Sequence, residues 1–259
     1  MWCVSVSALL RGKTELDRAV YDRMAEIDAD HWWFVARRSI IAKLIDQFRP
    51  KPGPMKILEV GCGTGSNLAL LQRYGSVDAI EPDDGARALA AERSGLAIKG
   101  GYLPHGVPLE DGYYDLIVLF DVLEHIPEDV PALAALRTKL SPGGRILVTV
   151  PGTPWLWSAH DVAHHHQRRY TEASLKRVFA EAGLKPRHIS HFNTLLFPLI
   201  VAVRGLGKLL GREGNDDKMP SAPINAALKA IFGVERHWVA TVRVPFGVSI
   251  AMIAEPSIS

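Results

Sequence analysis

Two carboxylates and a run of glycines stand at spacings that point to ligand chemistry. Residues 56–60, Lys-Ile-Leu-Glu-Val, read as a short apolar strand that runs into Gly61-Cys62-Gly63-Thr64-Gly65 and then into a helix. Glycines there permit a tight turn and a close backbone approach to a ligand, and the helix N-terminus offers unpaired N–H groups and a positive dipole end. Glu59, two residues before Gly61, places a carboxylate at the end of the strand, able to accept from a ligand's ammonium directly or through water. Glu81 ends the next strand, 20 residues after Gly61 (81 − 61), the position of an acid that binds paired ribose hydroxyls.

A dinucleotide-binding oxidoreductase shares the turn and the ribose acid. Its fingerprint places Gly or Ala at position 66 for close helix–strand packing, whereas Ser66 and Asn67 stand here. A carboxylate at position 59 would also lie close to a pyrophosphate. Both features favour a ligand with a positive head and no phosphates, which describes S-adenosylmethionine. Methyl transfer from its sulfonium needs an in-line nucleophile and, in some enzymes, a base.

The residues for that second task cluster in the C-terminal half of the core. Pro151-Gly-Thr-Pro-Trp-Leu-Trp-Ser-Ala-His160-Asp161 is followed by His164-His-His166-Gln-Arg-Arg-Tyr170, and His125 lies upstream. Histidine titrates near neutral pH and suits a base for a phenol or hydroxyl. The candidate catalytic residues are therefore His125, His160 with Asp161 as its orienter, and His166. For each a plainer role stays open: His125 bracing its loop, and Arg168 and Arg169 tying the loop to the domain. His160 and His164, at i, i+4, could share a metal if helical, but no third ligand is evident and no metal site is assigned.

The elements that must hold these groups alternate. Residues 14–30 and 35–48 read as helices separated by His31-Trp32-Trp33-Phe34, and Arg49-Pro-Lys-Pro-Gly-Pro54 marks a boundary. Strands follow at 56–60, 77–80, 97–99, 115–120 and 145–150, with helices at 66–74, 85–93 and 130–140 between them. This alternation predicts a parallel sheet covered by helices on both faces, with its site at the C-terminal strand ends. Thr171 is placed as the cap of a helix over 172–182 closed by Gly183, with strands at 185–191 and 244–254. Between those strands, 194–210 and 224–239 read as apolar helices joined by a mobile 211–223 segment. The chain thus divides into an N-terminal helical cap (1–50), a core (51–193 and 243–259) and a helical insertion (194–242).

At this point the motifs add a resemblance. Glu-Val-Gly-Cys-Gly-Thr-Gly, Asp115-Leu-Ile-Val-Leu-Phe-Asp-Val-Leu-Glu-His-Ile126 and Leu140-Ser-Pro-Gly-Gly144 resemble the class I methyltransferases, nearest the group that includes ubiquinone-biosynthesis O-methyltransferases. The likeness spans about residues 55–190. His31-Trp-Trp-Phe34 with Arg37-Arg38, and Val244-Pro-Phe-Gly247, are similar to a bacterial subset of that group. It implies a doubly wound, mostly parallel, seven-stranded α/β sheet whose last two strands form an edge hairpin. It implies that Gly61, Cys62, Gly63 and Gly65 pass the amino-acid portion of S-adenosylmethionine, that Glu81 binds ribose, and that Pro82 borders adenine. Gly101, Tyr102 and Leu103 flank the base; the Asp common there in the family is missing, so a backbone carbonyl or Tyr102 takes its place. Asp121 and Val122 lie by the methionine part, with Trp33 and Arg37 covering it.

Hydrophobic content of 47% and charged content of 22% fit an ordinary folded core. Residues 1–130 carry 14 basic and 20 acidic residues (net −6), and residues 131–259 carry 16 and 8 (net +8). The basic half suits an anionic substrate or lipid surface, but no compact Lys/Arg run suggests nucleic acid. Cys3 and Cys62 are too few for a disulfide framework, which fits a cytoplasmic protein. Residues 1–10 are apolar without a preceding basic region and read as an N-terminal extension. The apolar run 195–203, followed by Arg204, Lys208 and Arg212, is too short to span a bilayer. Three readings of it stay open: a lid over an apolar acceptor, an interfacial membrane helix, and a dimer or packing element. The combined reading is O-methylation of a small apolar or aromatic acceptor, hydrophobic or lipid-linked. Its alternatives are N- or C-methylation, or a non-catalytic cofactor-binding scaffold at a membrane or partner surface.

Overall fold

The computed structural model describes residues 18–105, 109–209 and 218–257. The readings of the N-terminal extension with Cys3, of residues 14–17, and of 211–217 with Arg212 lie outside the described residues. Two helices come first, α1 (Arg18–Ile27) and α2 (Trp32–Phe48). Then follow β1 (Met55–Val60), α3 (Leu68–Leu71), β2 (Gly75–Ile80), α4 (Asp84–Ser94), β3 (Tyr114–Phe120), α5 (Asp129–Lys139) and β4 (Leu140–Pro151). The C-terminal part holds α6 (Ala159–Ala163), α7 (Glu172–Glu181), β5 (Leu184–Phe192), α8 (Phe197–Leu209), α9 (Ala222–Gly233) and β6 (Ser249–Pro256).

Tyr-Asp-Leu-Ile-Val-Leu-Phe makes β3 the central strand, buried at every position. Because alternate side chains of a strand face opposite ways, it feeds two apolar layers. Leu116, Val118 and Phe120 join Ile40, Ile41, Leu44 and Ile45 of α2 and Phe232 of α9 on one face. Ile117 and Leu119 join Leu133 and Leu136 of α5 and Leu175, Val178 and Phe179 of α7 on the other. Asp115, the polar residue in the strand, is held by the Lys56 amide at 2.8 Å and the Ser141 hydroxyl at 3.0 Å.

The sheet order is β2-β1-β3-β4-β6-β5. β1 pairs in parallel with β2 and β3, and β3 in parallel with β4. β6 runs antiparallel to both β4 and β5, so the expected mixed edge is present. The sheet has six strands among the described residues rather than the seven expected. The 97–99 segment forms only a bridge, Lys99 to Ile80, between the helix-ending Gly95 and the Gly100-Gly101 pair, which leaves too few residues for a ladder. Parallel pairing aligns Val60 with Ile80 and with Leu119, so the ends of β1, β2, β3 and β4 open onto one edge.

Three boundaries differ in ways that matter to the site. His31 is an N-cap, accepting from the Trp33 amide, so His-Trp-Trp-Phe opens α2 instead of linking two helices. The helix expected over 66–74 shrinks to one turn, α3, because Asn67 turns its side chain to Glu59 and does not cap the helix. β6 starts at Ser249 and not at 244, since Pro245 has no N–H to give and Gly247 passes close to the Phe192 carbonyl.

The segments between β5 and β6 are tied to the rest by polar contacts. Asn225 of α9 accepts from the Trp32 amide at 2.8 Å and donates to the Asp30 carbonyl at 2.9 Å. The fully buried carboxylate of Glu235 accepts from the amides of Thr194 and Leu195 at 2.7 and 2.9 Å, fixing where the chain leaves β5 for α8. Glu235→Ala leaves both amides without an acceptor and should cost about 1–3 kcal/mol in urea unfolding. An unchanged midpoint and slope would remove Glu235 from that role.

Candidate active site

The Gly-rich turn sits where β1 ends. Gly61, with φ of 67°, brings its backbone so near β3's exit that a Cβ would lie 2.7 Å from Val122 Cγ2. Gly65, with φ of 84°, does the same against Ala90 of α4, at 3.1 Å from its Cα. It therefore serves helix packing and does not line the cavity. The turn is pinned by the amides of Gly61 and Cys62 donating to the Ile80 carbonyl at 2.8 and 3.2 Å.

Glu81 is the acid of this turn. Its Oε2 accepts from the Gly63 amide at 2.8 Å, and its Oε1 accepts from the Asp83 amide at 3.1 Å and the Tyr21 hydroxyl at 3.0 Å. Burial pushes its pKa up, against the pull of those three donors. Arg87 braces the same backbone, donating to the carbonyls of Glu81 and Pro82 at 2.9 and 2.7 Å. Glu59 behaves differently. It is buried off the cavity, with Oε1 accepting from Asn67 at 3.1 Å and Oε2 without a hydrogen-bond partner. Burial pushes its pKa up to about 8. Direct acceptance from a ligand's ammonium, one of its two expected modes, has no geometry here.

At the end of β3, Asp121 adopts φ of 56° and pairs with Arg37 of α2 at 2.5 Å. Arg37 also donates to Thr149 Oγ1 at 2.9 Å, and its guanidinium lies 4.7 Å from the centre of the Trp33 ring. A cation between a carboxylate and an indole face ties α2 to the sheet edge. Pro82, Gly101, Tyr102 and Leu103 also line the cavity.

The histidine segment folds into a cluster. Asp161, fully buried and off the cavity, accepts from Arg169 Nε at 2.7 Å and bonds His166 Nδ1 at 2.9 Å. Burial alone would raise the Asp161 pKa, but these two partners outweigh it and hold the group well below the usual carboxylate range. The orienter expected for His160 therefore serves His166 instead, because α6 turns adjacent residues apart. Asp161 also caps α6, accepting from the Ser158 amide at 2.9 Å. The rings of His125 and His160 lie 4.8 and 6.1 Å from that of His166. Burial, then the neighbouring histidines, bring His125 down to about 3, so it stays neutral across the physiological range. Arg168 and Tyr170 are structural, both bound to Asp129, at 2.7 and 2.9 Å.

These groups surround one cavity of about 510 Å³. Of the residues singled out in the sequence, Trp33, Arg37, Gly61, Cys62, Gly63, Glu81, Pro82, Gly101, Tyr102, Leu103, Asp121, Val122, His125, His160 and His166 line it; Glu59, Gly65 and Asp161 do not. Tyr21, Asn193 and Glu124 are among the lining residues that the sequence did not point to. Tyr21 had no signal, since nothing in the chain shows that α1 reaches β2. Asn193, buried at the end of β5 with φ of 56° and its Oδ1 unpartnered, looked like an ordinary loop residue. Glu124 stood in view beside His125. It is fully buried, neither oxygen has a hydrogen-bond partner, and burial, then the Asp121 charge, push its pKa well up. One ligand atom each from Glu124, His125 and His166 lie within 4.8 Å of one another, so these three could hold a metal ion.

The fold and cavity are those of a known class. Residues 33–189, more than half of the chain, match the family model described as a methyltransferase domain. The chain is 26% identical over 193 residues to the ubiquinone biosynthesis O-methyltransferase of Aeromonas salmonicida, covering 64% of this chain and 81% of that protein. In fold it is similar to a chain from the complex between the Haloferax volcanii Trm112 methyltransferase activator and a candidate methyltransferase, with a TM-score of 0.63, 16% identity, and coverage of 96% and 98%. It is also similar to the geranyl diphosphate C-methyltransferase of Streptomyces coelicolor solved with S-adenosyl-L-homocysteine, at a TM-score of 0.55 and 13% identity, covering 82% and 78%. The chain belongs to the methyltransferase domain family as a class I enzyme, and S-adenosylmethionine is its cofactor. A glycine turn and a buried acid one strand over fit the chemistry of that molecule's amino acid and sugar.

Two outcomes test this site. Glu81→Ala should weaken calorimetric affinity for S-adenosylhomocysteine by about 1–3 kcal/mol through lost charge-assisted bonds; equal affinity would remove Glu81 from the cofactor. For Glu59, the folded state keeps the proton that the unfolded chain releases near 4.5, so its contribution to stability is full below that pH and is lost as pH rises to about 8. Glu59→Gln should lose less stability than the parent across that window, and parallel pH profiles would contradict the raised pKa.

Proposed function

We propose that the enzyme transfers a methyl group to an oxygen of a small, apolar or aromatic acceptor, with His166 as the base. The observation that carries this reading is the Asp161–His166 bond at 2.9 Å beside the cavity. With Asp161 ionised, Nδ1 of His166 holds the proton and Nε2 is left as the acceptor. Bound S-adenosylmethionine supplies an electrophilic methyl on a sulfonium. His166 takes the acceptor's hydroxyl proton as its oxygen bonds the methyl carbon and the carbon–sulfur bond breaks, leaving S-adenosylhomocysteine. Arg169 keeps Asp161 charged and in place. His160 contacts the acceptor, and Asp121, locked by Arg37, faces the methionine end.

The apolar acceptor is inferred from α8, whose Leu199, Ile200 and Val203 line the cavity together with Leu196 just before the helix. Leu199, Val203 and Leu206 also stand exposed at spacings of four and three residues, one stripe of the helix. We read α8 as a lid over a hydrophobic or lipid-linked acceptor within a 194–242 insertion, beside a 1–50 helical cap and a core of 51–193 and 243–259. The same stripe would suit a membrane surface or a second copy of the chain, which liposome sedimentation and solution sizing separate from a lid. Among the described residues no helix is long and apolar enough to cross a membrane. The scarcity of cysteine supports a cytoplasmic setting.

The buried carboxylate of Glu124, without a hydrogen-bond partner and 4.0 Å from His166 Nε2, favours a second reading of the chemistry. A divalent cation held by Glu124, His125 and His166 would replace the base by lowering the pKa of a bound hydroxyl. Labelled-methyl transfer into a panel of phenols, alcohols and amines decides between them. Under the first reading His166→Ala lowers turnover by about 10²-fold or more while S-adenosylhomocysteine affinity holds, and chelators have no effect. Loss with EDTA and recovery with Mg²⁺ or Mn²⁺ would establish the second. Label found only in amines would overturn O-methylation.

A further inference from the structure

The cofactor site contains a donor already seated on its sugar-binding acid. A carboxylate has about four lone-pair sites, two on each oxygen. On Glu81, Oε2 has accepted one bond from the Gly63 amide at 2.8 Å, whereas Oε1 has accepted two, from the Asp83 amide at 3.1 Å and the Tyr21 hydroxyl at 3.0 Å. A vicinal diol bridging the two oxygens needs one free site on each. Oε2 has one; Oε1 has none. The Asp83 amide is backbone only two residues from Glu81 and cannot leave without moving the 81–83 turn, which Arg87 braces. Tyr21 is the donor that can.

The element carrying Tyr21 is anchored next to its C-terminal end. At its C-terminal side α1 is pinned by Asp28, which is buried and pairs with Arg93 of α4 at 2.7 Å, while its carbonyl accepts from Arg38 of α2 at 2.8 Å. Arg93 also donates to the Thr64 carbonyl at 3.2 Å, so this anchor rests on the glycine turn itself. Tyr21 lies two helical turns nearer the N-terminus, on the cavity side with Met24 and Ile27.

We infer that Tyr21 is a gate on the cofactor site: its hydroxyl stands in for a ribose hydroxyl on Glu81, and binding exchanges one for the other as α1 shifts about its Asp28 anchor. Tyr21 then competes with substrate and product alike, holding the acid satisfied when the site is vacant and speeding release after transfer. This rests on Glu81 as the ribose acid.

Calorimetry with S-adenosylhomocysteine tests it on the whole chain. Tyr21→Phe keeps the ring and its packing but removes the competing donor. It should bind S-adenosylhomocysteine about 2- to 12-fold tighter than the parent, the worth of one exchanged hydrogen bond. The unliganded variant should melt at a lower temperature, an opposition of signs that a purely structural tyrosine would not produce. Adenosine should show the same gain, and 2′,3′-dideoxyadenosine none. Unchanged or weaker binding of S-adenosylhomocysteine to Tyr21→Phe would overturn the gate, as would an equal gain for the dideoxy probe. Glu81→Ala separates the two levels: if it binds like the parent, the ribose assignment fails; if it weakens binding while Tyr21→Phe fails to tighten it, the gate alone fails.

Discussion

The Gly63 amide on Glu81 is the bond around which the site is organised. It joins the turn after β1 to the end of β2, and it can form only because three glycine backbones in that turn take left-handed conformations that side chains resist. The turn then has no freedom to move from the sheet edge: Val122 closes on one side of it and Ala90 on the other. Every later feature, from the reach of α1 to the position of Asp121, is measured against that fixed loop.

Around it the protein handles charge in pairs. Arg37 meets Asp121, Arg93 meets Asp28 and Arg169 meets Asp161, each with at least one partner buried. An ion pair of this kind contributes little net stability, but removing one partner strands the other, so such pairs fix geometry. Their placement follows that logic: one joins α2 to the sheet edge, one pins the α1–α2 turn, and one orients the histidine cluster. Glu59 and Glu124 have no such arginine partner, and burial pushes the pKa of both up; of the two, Glu124 stands on the cavity wall.

The sheet was legible because its strands obey simple rules. Leu-Ile-Val-Leu-Phe reads as a buried strand, and the alternation of strands and helices pointed to a parallel sheet, while the antiparallel edge was implied by the family resemblance. The glycine turn and Glu81 were legible because they are local in sequence. What failed to read was whatever depended on partners far along the chain. His-Trp-Trp-Phe gave no sign that it would begin a helix, since its start depends on His31 capping it and on Asn225, almost two hundred residues away, taking the Trp32 amide. Adjacency misled at His160-Asp161: the helical turn sends the carboxylate to His166 and Arg169. Lys99 lost its strand because a peripheral segment of three residues, Ala97-Ile98-Lys99, cannot sustain a ladder.

The most direct measurement of the central claim is the structure of the complex with S-adenosylhomocysteine. The account predicts both ribose hydroxyls within hydrogen-bond distance of the Glu81 carboxylate. The base should lie between Pro82 and Leu103, and the amino-acid portion along the turn from Gly61 to Gly63, near Asp121. A ribose placed away from Glu81, or a ligand seated outside this cavity, would contradict it.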